Sequence, residues 1–417
     1  MGISIIFTAP QNFEDSQYPL LGPNLKGLFT FGLLQQIYWE GNKYRIFFLN
    51  LIHVSSMIFV ITQLVDLYFT RNDFDKALLN MSITVLSFVS ICKTISCLVL
   101  QSRLVSLIKA ISKEEIAAIK EQQNFVMKLM KNYTKYVRFI TNLYWTVVLI
   151  TNIVTILSPL LKYLSTSSYR EDIKNDTEPY PQILSSWFPF NNLKMPGYIF
   201  ATAIHVIMIT QGAGVIAVYD ANAFAIMTYL KGQFIILREK CRRIFGGDEV
   251  ILTKIEVQAR IKECHRHHNF LLKQCSAFDK IISPVMFIYV LVCSITICCS
   301  VVQLSLESVS TTQKLWVLEY SSALAIQLFL FCWHSNEMTV ESDRTDRGVY
   351  ESNWWKANLQ ERKQLVLLAG KLARPLVMNA GPFTALSVQT FVDIMTRTYS
   401  FYTLFTQMQE KDINANN

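Results

Sequence analysis

Long apolar stretches separated by polar segments dominate the pattern of this chain. Six of them are apolar and long enough to cross a bilayer as helices, given a rise of about 1.5 Å per residue and a hydrocarbon core of about 30 Å. They cover residues 46–69, 77–100, 137–161, 198–230, 281–306 and 315–334. The 198–230 stretch is longer than a bilayer requires, so we expect its end to continue into the following loop. The pattern predicts an all-α membrane protein.

A seventh stretch, residues 383–408, is long enough to span but is the most polar of the set. On a helical wheel its polar side chains fall on one side, with Leu404 among them. This polar stripe consists of Gln389, Asp393, Thr396, Arg397, Ser400, Thr403 and Gln407. At membrane depth such a stripe faces protein or water rather than lipid. Two interpretations are open at this point: a polar seam buried inside a helix bundle, and a helix that lines a pore.

The distribution of basic residues predicts how the seven helices are oriented. The segments 101–136, 231–273 and 335–374 are rich in Lys and Arg, whereas the alternate segments are poor in them. Because basic loops stay in the cytoplasm, the amino end is predicted to be cytoplasmic and the carboxyl end extracellular. This orientation places the glycosylation sequon at Asn175 outside and the one at Asn80 near the outer edge.

The composition agrees with a membrane protein. Of the 417 residues, 51% are apolar and only 17% are charged, against about 25% charged in soluble domains. The net charge of +8 is accounted for by the basic loops, so it does not indicate a nucleic-acid partner. Residues 1–20 show no cleavable signal peptide. None of the nine cysteines lies in a segment predicted to be outside, which indicates free thiols.

The large cytoplasmic segments are predicted to be helical. Gly246-Gly247 breaks residues 231–273 into two helices that extend the fourth and fifth spans. Residues 354–377 are predicted to form one amphipathic helix that packs against these extensions. Gly381-Pro382 then breaks the chain, and the proline is expected near the start of the last helix. The predicted division is 1–45 cytoplasmic, 46–345 the first six spans, 346–380 a cytoplasmic anchor, 381–408 the last helix and 409–417 an extracellular tail.

Motifs for chemistry are scarce. There is no phosphate-binding loop, no GxSxG and no HExxH, so the sequence does not indicate an enzyme. The run Cys264-His265-Arg266-His267-His268 fits no closed tetrahedral metal site, and we interpret it as a solvated helix face. Neither a metal nor a cofactor is expected.

The outer halves of four predicted spans carry a few polar and aromatic residues at helical spacing. Side chains three or four residues apart share a helix face, so together they would form an apolar, aromatic-lined cavity of the kind that binds small molecules. The alternative for each residue is ordinary packing between helices. The candidate ligand-binding residues are Ser87, Phe88, Ile91, Asn152, Ile156, Tyr198, Thr202, His205, Trp316, Tyr320 and Leu324.

The last quarter of the chain resembles the insect odorant receptors. The resemblance is carried by Tyr350 with Trp354-Trp355, by Arg374-Pro375-Leu376 leading to Ala380-Gly381, and by residues 391–405. Within the last of these, Thr398-Tyr399-Ser400-Phe401-Tyr402-Thr403-Leu404 resembles the family's carboxyl-terminal signature. The rest of the chain agrees in topology and length. The short turn at 245–250 is unlike the family's co-receptor, which has a long insertion there, so the resemblance implies a ligand-tuned subunit.

That resemblance implies a hetero-tetramer with the co-receptor around one cation pore, held together by the cytoplasmic anchor helices, in the plasma membrane of olfactory sensory neurons. A small volatile ligand would open the channel. The last helix would line the pore, with Ser400 in the signature, Leu404 as a hydrophobic gate, Gln407 as a pore-facing polar group and Met408 as a second constriction. Two other functions stay open: a seven-helix transporter of a small solute and a metabotropic seven-helix receptor.

Overall fold

The computed structural model describes residues 18–35, 43–72, 74–121, 123–165, 167–175, 177–246, 252–305 and 311–416. These residues form α-helices almost throughout. The helices are α1 (Gly22–Thr30), α2 (Lys43–Thr70), α3 (Phe74–Val99), α4 (Gln101–Glu121), α5 (Asn124–Ser165), α6 (Ser167–Lys174), α7 (Gly197–Arg242), α8 (Lys254–Ser305), α9 (Thr311–Asp343), α10 (Arg347–Tyr350), α11 (Leu359–Leu372) and α12 (Val388–Asn416). Two short antiparallel strands, β1 (Asn379–Ala380) and β2 (Thr384–Ala385), pair between α11 and α12.

Helix α7 is the centre of the bundle. Every residue from Gly214 to Leu230 is buried, which is expected of a helix that is apolar on all sides. Helices α3, α5, α8 and α9 pack around it. Large apolar side chains on the outward faces of α2, α5 and α7, among them Phe47, Ile150 and Phe200, remain exposed in the chain itself. Such faces suit contact with lipid.

The six apolar spans are confirmed as helices. In the described part of the chain six helices are long and apolar enough to cross a membrane, and they contain the predicted spans. Helix α12 is not among these six, in keeping with its polar stripe. Its predicted start near residue 383 is wrong, because Thr384 pairs with Ala380 in the small hairpin. The helix begins instead after Ser387, whose hydroxyl accepts the N–H of Thr390 at 3.2 Å.

The described part of the amino-terminal segment belongs to the core, which its pattern did not predict. Helix α1 lies against α7, and the Asn24 amide donates to the carbonyl of Ala221 at 3.2 Å. Phe31 packs over Gly214, where an added Cβ would lie only 1.9 Å from the Phe31 ring. The backbone then turns at Gly32, which has a φ of +74° that favours glycine.

Helix α4 was also missed, since its segment was interpreted only as a basic loop. It is amphipathic, with Leu104, Ile108 and Ile111 buried on one side. Glu115 lies on the same buried side, where it accepts hydrogen bonds from the Leu20 N–H and the Tyr133 hydroxyl. Burial raises the pKa of the Glu115 carboxyl to about 7, although these two bonds and the nearby charge of Arg138 act in the opposite direction.

The predicted helix over 354–377 is shorter than expected. Trp354–Lys356 form a 3₁₀ turn, and α11 begins at Leu359 because Asn358 and Glu361 form a capping box. The buried face of α11 carries Leu365, Leu368 and Leu372 and packs on α8, as predicted, whereas Trp355 and Leu359 are exposed.

The extensions of the fourth and fifth spans are confirmed as helices, since α7 continues to Arg242 and α8 begins at Lys254. The solvated face predicted around Cys264 is wrong, however. Cys264, His267 and His268 are buried, and His267 Nε2 lies 3.0 Å from Gln233 Oε1 on α7. This face of α8 is turned toward α7 because the two helices pack together beyond the predicted spans.

Candidate functional site

A cavity of about 170 Å³ lies among helices α2, α3, α5, α7 and α9. Its lining is mainly apolar, with a few hydroxyl and amide groups, which is the usual character of a small-molecule site. The residues that line it are His53, Ser56, Met57, Phe59, Val60, Ile83, Leu86, Ser87, Ser90, Ile91, Thr94, Tyr144, Val147, Val148, Thr151, Asn152, Thr155, Leu184, Met208, Ile209, Gln211, Gly212, Ala213, Val215, Ile216, Trp316, Tyr320, Ala323, Leu324 and Gln327.

Six of the residues predicted from the sequence line this cavity. Ser87, Ile91, Asn152, Trp316, Tyr320 and Leu324 line the cavity, whereas Phe88, Ile156, Tyr198, Thr202 and His205 do not. Phe88 is 45% exposed and points away from the cavity. Helical spacing placed the residues of α9 correctly because Trp316, Tyr320 and Leu324 stand four residues apart on one face.

The three residues predicted on α7 do not line the cavity, and the segment between α6 and α7 folds over the end of that helix. Ser186 Oγ lies 2.7 Å from His205 Nε2, and Leu184, two residues earlier, lines the cavity. Tyr198 donates to the carbonyl of Pro181 and stacks on Tyr180. We call residues 177–196 the cap. The cap contacts Tyr198 and His205, and the cavity meets α7 deeper, at residues 208–216.

Tyr144 and Gln327 form the floor of the cavity, and a buried ion pair lies behind them. Lys93 Nζ lies 2.6 Å from Asp220 Oδ1, and both side chains are fully buried. Asp220 Oδ2 also accepts hydrogen bonds from the Tyr144 hydroxyl and the Gln327 amide, each at 2.6 Å. Tyr144 and Gln327 line the cavity, so two residues of the wall also hold this carboxylate. One carboxylate thereby joins α3, α5, α7 and α9.

The sequence contained a signal for this ion pair. Lys93 and Asp220 are charged residues inside two stretches that are otherwise apolar. An ionisable residue at membrane depth is expected to have a partner and a role. Which residues pair could not be read from spacing, because it depends on how the two helices are rotated against each other.

Four residues of the cavity wall carry buried polar atoms with no hydrogen-bond partner among the described residues. These atoms are Nε2 of His53, Oδ1 of Asn152, Nε2 of Gln211 and Nε1 of Trp316. By contrast, the Tyr320 hydroxyl is used within the protein, since it donates to the Ser82 carbonyl at 2.9 Å. The indole of Trp316 stacks on Tyr320 with ring centroids 5.5 Å apart.

The polar stripe of α12 faces outward from the subunit. Gln389, Asp393, Arg397, Ser400 and Gln407 are exposed, whereas Phe391, Ile394 and Met395 on the other face pack against the core. The stripe is therefore not a seam buried inside this chain. Leu404 and Met408 lie in the helix, but their side chains are outside the described part of the structure.

The two sequons differ in their surroundings. Asn175 is exposed in the turn after α6. Asn80 is only 2% exposed within α3, where its amide donates to Asp66 Oδ2 at 2.9 Å and its oxygen accepts the Thr84 hydroxyl. This burial leaves no room for a glycan, so Asn80 is a poor candidate.

Comparison with known proteins gives a consistent result. Residues 73–399 match the family model described as 7tm Odorant receptor. Odorant receptor 82a of Drosophila melanogaster is 23% identical over 371 residues, which cover 87% of this chain and 93% of that protein. Odorant receptor 22c of Drosophila melanogaster is 25% identical over 230 residues, 52% of this chain and 56% of that protein.

Solved structures of the insect olfactory receptor OR5 from Machilis hrabei are similar. The complex of that receptor with eugenol gives a TM-score of 0.76 at 13% identity, covering 94% of this chain and 100% of that one. A second structure of that receptor gives a TM-score of 0.78 at 13% identity, covering 92% of this chain and 98% of that one. At this identity the likeness shows the fold alone.

Proposed function

Because the chain belongs to the insect odorant receptor family, whose members are multi-pass membrane receptors, we propose that it is a ligand-tuned subunit of a non-selective cation channel. A small volatile organic molecule binding in the cavity opens it. The observation that carries this proposal is the cavity itself, which is lined mainly by apolar side chains from five helices. Its volume of about 170 Å³ suits a small molecule rather than a peptide.

Helix α9 supports a connection between the cavity and the pore. Trp316, Tyr320 and Leu324 on α9 line the cavity, and Phe329 on the same helix contacts Phe391 of α12, with ring centroids 5.4 Å apart. A ligand shifts an equilibrium only if it binds one arrangement better than the other. In this proposal the ligand favours the position of α9 that moves α12 toward the open pore.

The pore assignment rests on α12. Its exposed stripe, including Ser400 and Gln407, lines the proposed pore once subunits assemble. Leu404 forms the hydrophobic gate and Met408 a second constriction. A dry ring of apolar side chains excludes ions, and its displacement exposes Gln407 to them.

Assembly is proposed to occur with the co-receptor as a hetero-tetramer, in the plasma membrane of olfactory sensory neurons. Helix α11 supports this assembly, because Val366 is 72% and Leu367 is 70% exposed on the face opposite the core. Exposed apolar patches of this kind mark interaction surfaces. In the proposed orientation α11 lies in the cytoplasm, and Asn175 lies outside as a glycosylation site.

Current recording tests this function. The full chain is expressed alone and with a co-receptor, and excised patches are exposed to a panel of volatile compounds without added nucleotide. The proposal predicts ligand-evoked cation current only when both chains are present. Surface expression of both chains without current to any compound contradicts it, and so does a response that requires nucleotide.

A further inference from the structure

One end of the cavity holds a hydrogen-bond donor to which no described residue offers an acceptor. Nε1 of Trp316 is buried and has no partner within the described part of the chain. An indole N–H can only donate, so it needs an acceptor. A buried donor without an acceptor is unfavourable, and a bound molecule that brings an acceptor relieves this.

The position of this donor follows from the pairing of α5 with α9. The Thr151 hydroxyl donates to Glu319 Oε1 at 2.7 Å, which fixes the level at which the two helices meet. Trp316 lies on one side of this bond, and Gln327 lies on the other, beside Tyr144 at the floor. Trp316 and Gln327 are eleven residues apart, or about 16 Å along the helix. The Trp316 N–H and the floor at Gln327 therefore lie at opposite ends of the cavity.

At the floor, the hydroxyl of Tyr144 and one N–H of the Gln327 amide donate to Asp220. Beside Trp316, the hydroxyl of Tyr320 donates to the Ser82 carbonyl. An acceptor on a ligand therefore gains little at the floor, because it competes with a carboxylate for these hydrogens. Its favourable position is beside Trp316.

The other three unpartnered atoms of the wall belong to side chains that can adjust to a ligand. Asn152 and Gln211 are amides, and an amide that turns by 180° exchanges its oxygen and nitrogen, so it can present either one. The Nε2 atom of His53 donates in one tautomer of the neutral ring and accepts in the other. The indole of Trp316 has no such freedom, and it alone fixes the polarity that a ligand must have.

We infer that the cavity selects a molecule with one acceptor oxygen, namely a carbonyl of a ketone, aldehyde or ester, held by the N–H of Trp316 while the rest of the molecule is apolar. Since a cavity of about 150 Å³ accepts benzene, one of about 170 Å³ holds a ring with a short substituent. This inference rests on the proposed function insofar as the cavity is the ligand site, and it adds the chemical class of the ligand.

Glu319 provides the competing assignment. Its Oε2 is also buried without a partner in the described residues, and it lies one turn from Trp316. A carboxylate would favour an amine over a carbonyl. Glu319 does not line the cavity, however, and an ammonium group loses much of its hydration on burial. The carbonyl is therefore favoured, and the amine becomes an outcome of the test.

Three probes of the same number of non-hydrogen atoms test the assignment: acetophenone, cumene and 1-phenylethylamine. Each is titrated against the purified full chain in detergent, with thermal stabilisation as the measure of binding. We expect acetophenone to bind about tenfold more tightly than cumene. Trp316→Phe, which keeps a ring but removes the donor, should reduce this ratio to about one and leave the affinity for cumene nearly unchanged.

Trp333→Phe is the matched control, because Trp333 lies on α9 outside the cavity. It should keep the preference for acetophenone. Equal binding of acetophenone and cumene to the wild-type chain overturns the inference, as does a preference for the amine. Binding of none of the three overturns the assigned size and polarity, and an equal loss for acetophenone and cumene in Trp316→Phe overturns the role of its N–H.

The binding assay is independent of gating, so the two proposals fail separately. If acetophenone binds in a manner that depends on Trp316 but evokes no current with the co-receptor, the ligand class stands and the channel proposal fails. If volatile compounds evoke current but cumene is as potent as acetophenone, the channel proposal stands and the ligand class is wrong.

Discussion

Lys93 Nζ and Asp220 Oδ1 lie 2.6 Å apart, with both side chains fully buried at the centre of the bundle. The pair is completed by Tyr144 and Gln327, which donate to the other oxygen of Asp220 and at the same time line the cavity. The charged group that four helices share therefore lies directly behind two residues of the cavity wall. The pair therefore concerns both the stability of the bundle and the shape of the site.

Removing one partner of this pair should strongly reduce the free energy of unfolding. Asp220→Asn leaves the Lys93 ammonium buried without a counter-charge, so we expect a loss of about 3–5 kcal/mol in the free energy of unfolding. The double change Lys93→Met with Asp220→Asn should recover much of it. Thermal unfolding in detergent and surface expression measure both effects.

The matched control for that experiment is Lys231→Met. Lys231 forms a pair of the same length, 2.6 Å, with Glu337, but both side chains are about one-third exposed. Loss of this pair should lower the free energy of unfolding by about 1 kcal/mol or less. If Asp220→Asn is no more damaging than Lys231→Met, the buried pair does not hold the bundle together.

The cap should affect all ligands alike. Ser186→Ala removes the hydrogen bond to His205 without altering the cavity wall, so it should weaken binding of every ligand by a common factor of about five. Dose–response curves for several ligands should shift in parallel with their rank order unchanged. Ser185→Ala, one residue earlier, is the control and should have no effect. A changed rank order would place this bond in the site itself.

The contrast between the cap and α9 shows how far the sequence could predict the site. The predicted residues on α9 line the cavity because a helix repeats its faces at fixed spacing. His205 and Tyr198 do not line it, because the path of residues 177–196 determines what covers them, and an irregular segment has no periodicity to read. Helix α2 also contributes to the cavity, and the signal for it was His53, an ionisable residue inside an apolar stretch.

The fold was predictable to a similar extent. The length of the apolar stretches predicted six helices. Length together with the polar stripe predicted the seventh. Helix α1 could not be anticipated, since nothing in its short apolar pattern tells that Leu25 and Leu28 enter the core beside α7. Likewise, the start of α12 depends on the pairing of Thr384 with Ala380, a tertiary event that overrides the preference for proline at a helix start.

Glu115 should make stability depend on pH. Its pKa is raised to about 7 in the folded chain, so between the ordinary value of 4.5 and 7 the folded state binds a proton that the unfolded state has lost. Stability should therefore fall as pH rises through this range. The fall should be about 3 kcal/mol at most, because a tenfold difference in proton affinity between the two states corresponds to about 1.4 kcal/mol.

Glu115→Gln tests this, because the amide keeps an acceptor oxygen for Leu20 and Tyr133 but does not titrate. Melting temperatures at pH 5 and pH 8 should differ less in this variant than in the wild-type chain. An equal difference in the two proteins means that other groups cause the dependence on pH.

If Leu404 forms the gate, shortening its side chain should produce current in the absence of ligand. Leu404→Ala should shrink the apolar ring and raise the current without ligand in channels formed with the co-receptor, because a wider opening admits water and ions. Phe401→Ala, on the same helix, is the control and should leave the basal current low. Basal current, ion selectivity and ligand response that are all unchanged in Leu404→Ala would show that the gate lies elsewhere.

Two positions one turn apart on α3 test whether ligand binding in this cavity opens the channel. Ile91 lines the cavity, whereas Phe88 is 45% exposed and does not. Ile91→Trp fills part of about 170 Å³, and Phe88→Trp adds bulk outside it.

The most direct measurement is the ligand dose–response of co-receptor channels carrying each of these substitutions, at matched surface expression. We expect Ile91→Trp to raise the half-maximal ligand concentration about tenfold or more, and Phe88→Trp to leave it within about twofold of wild type. An unchanged response in Ile91→Trp, or equal losses in both variants, would contradict the claim that this cavity is where the ligand acts.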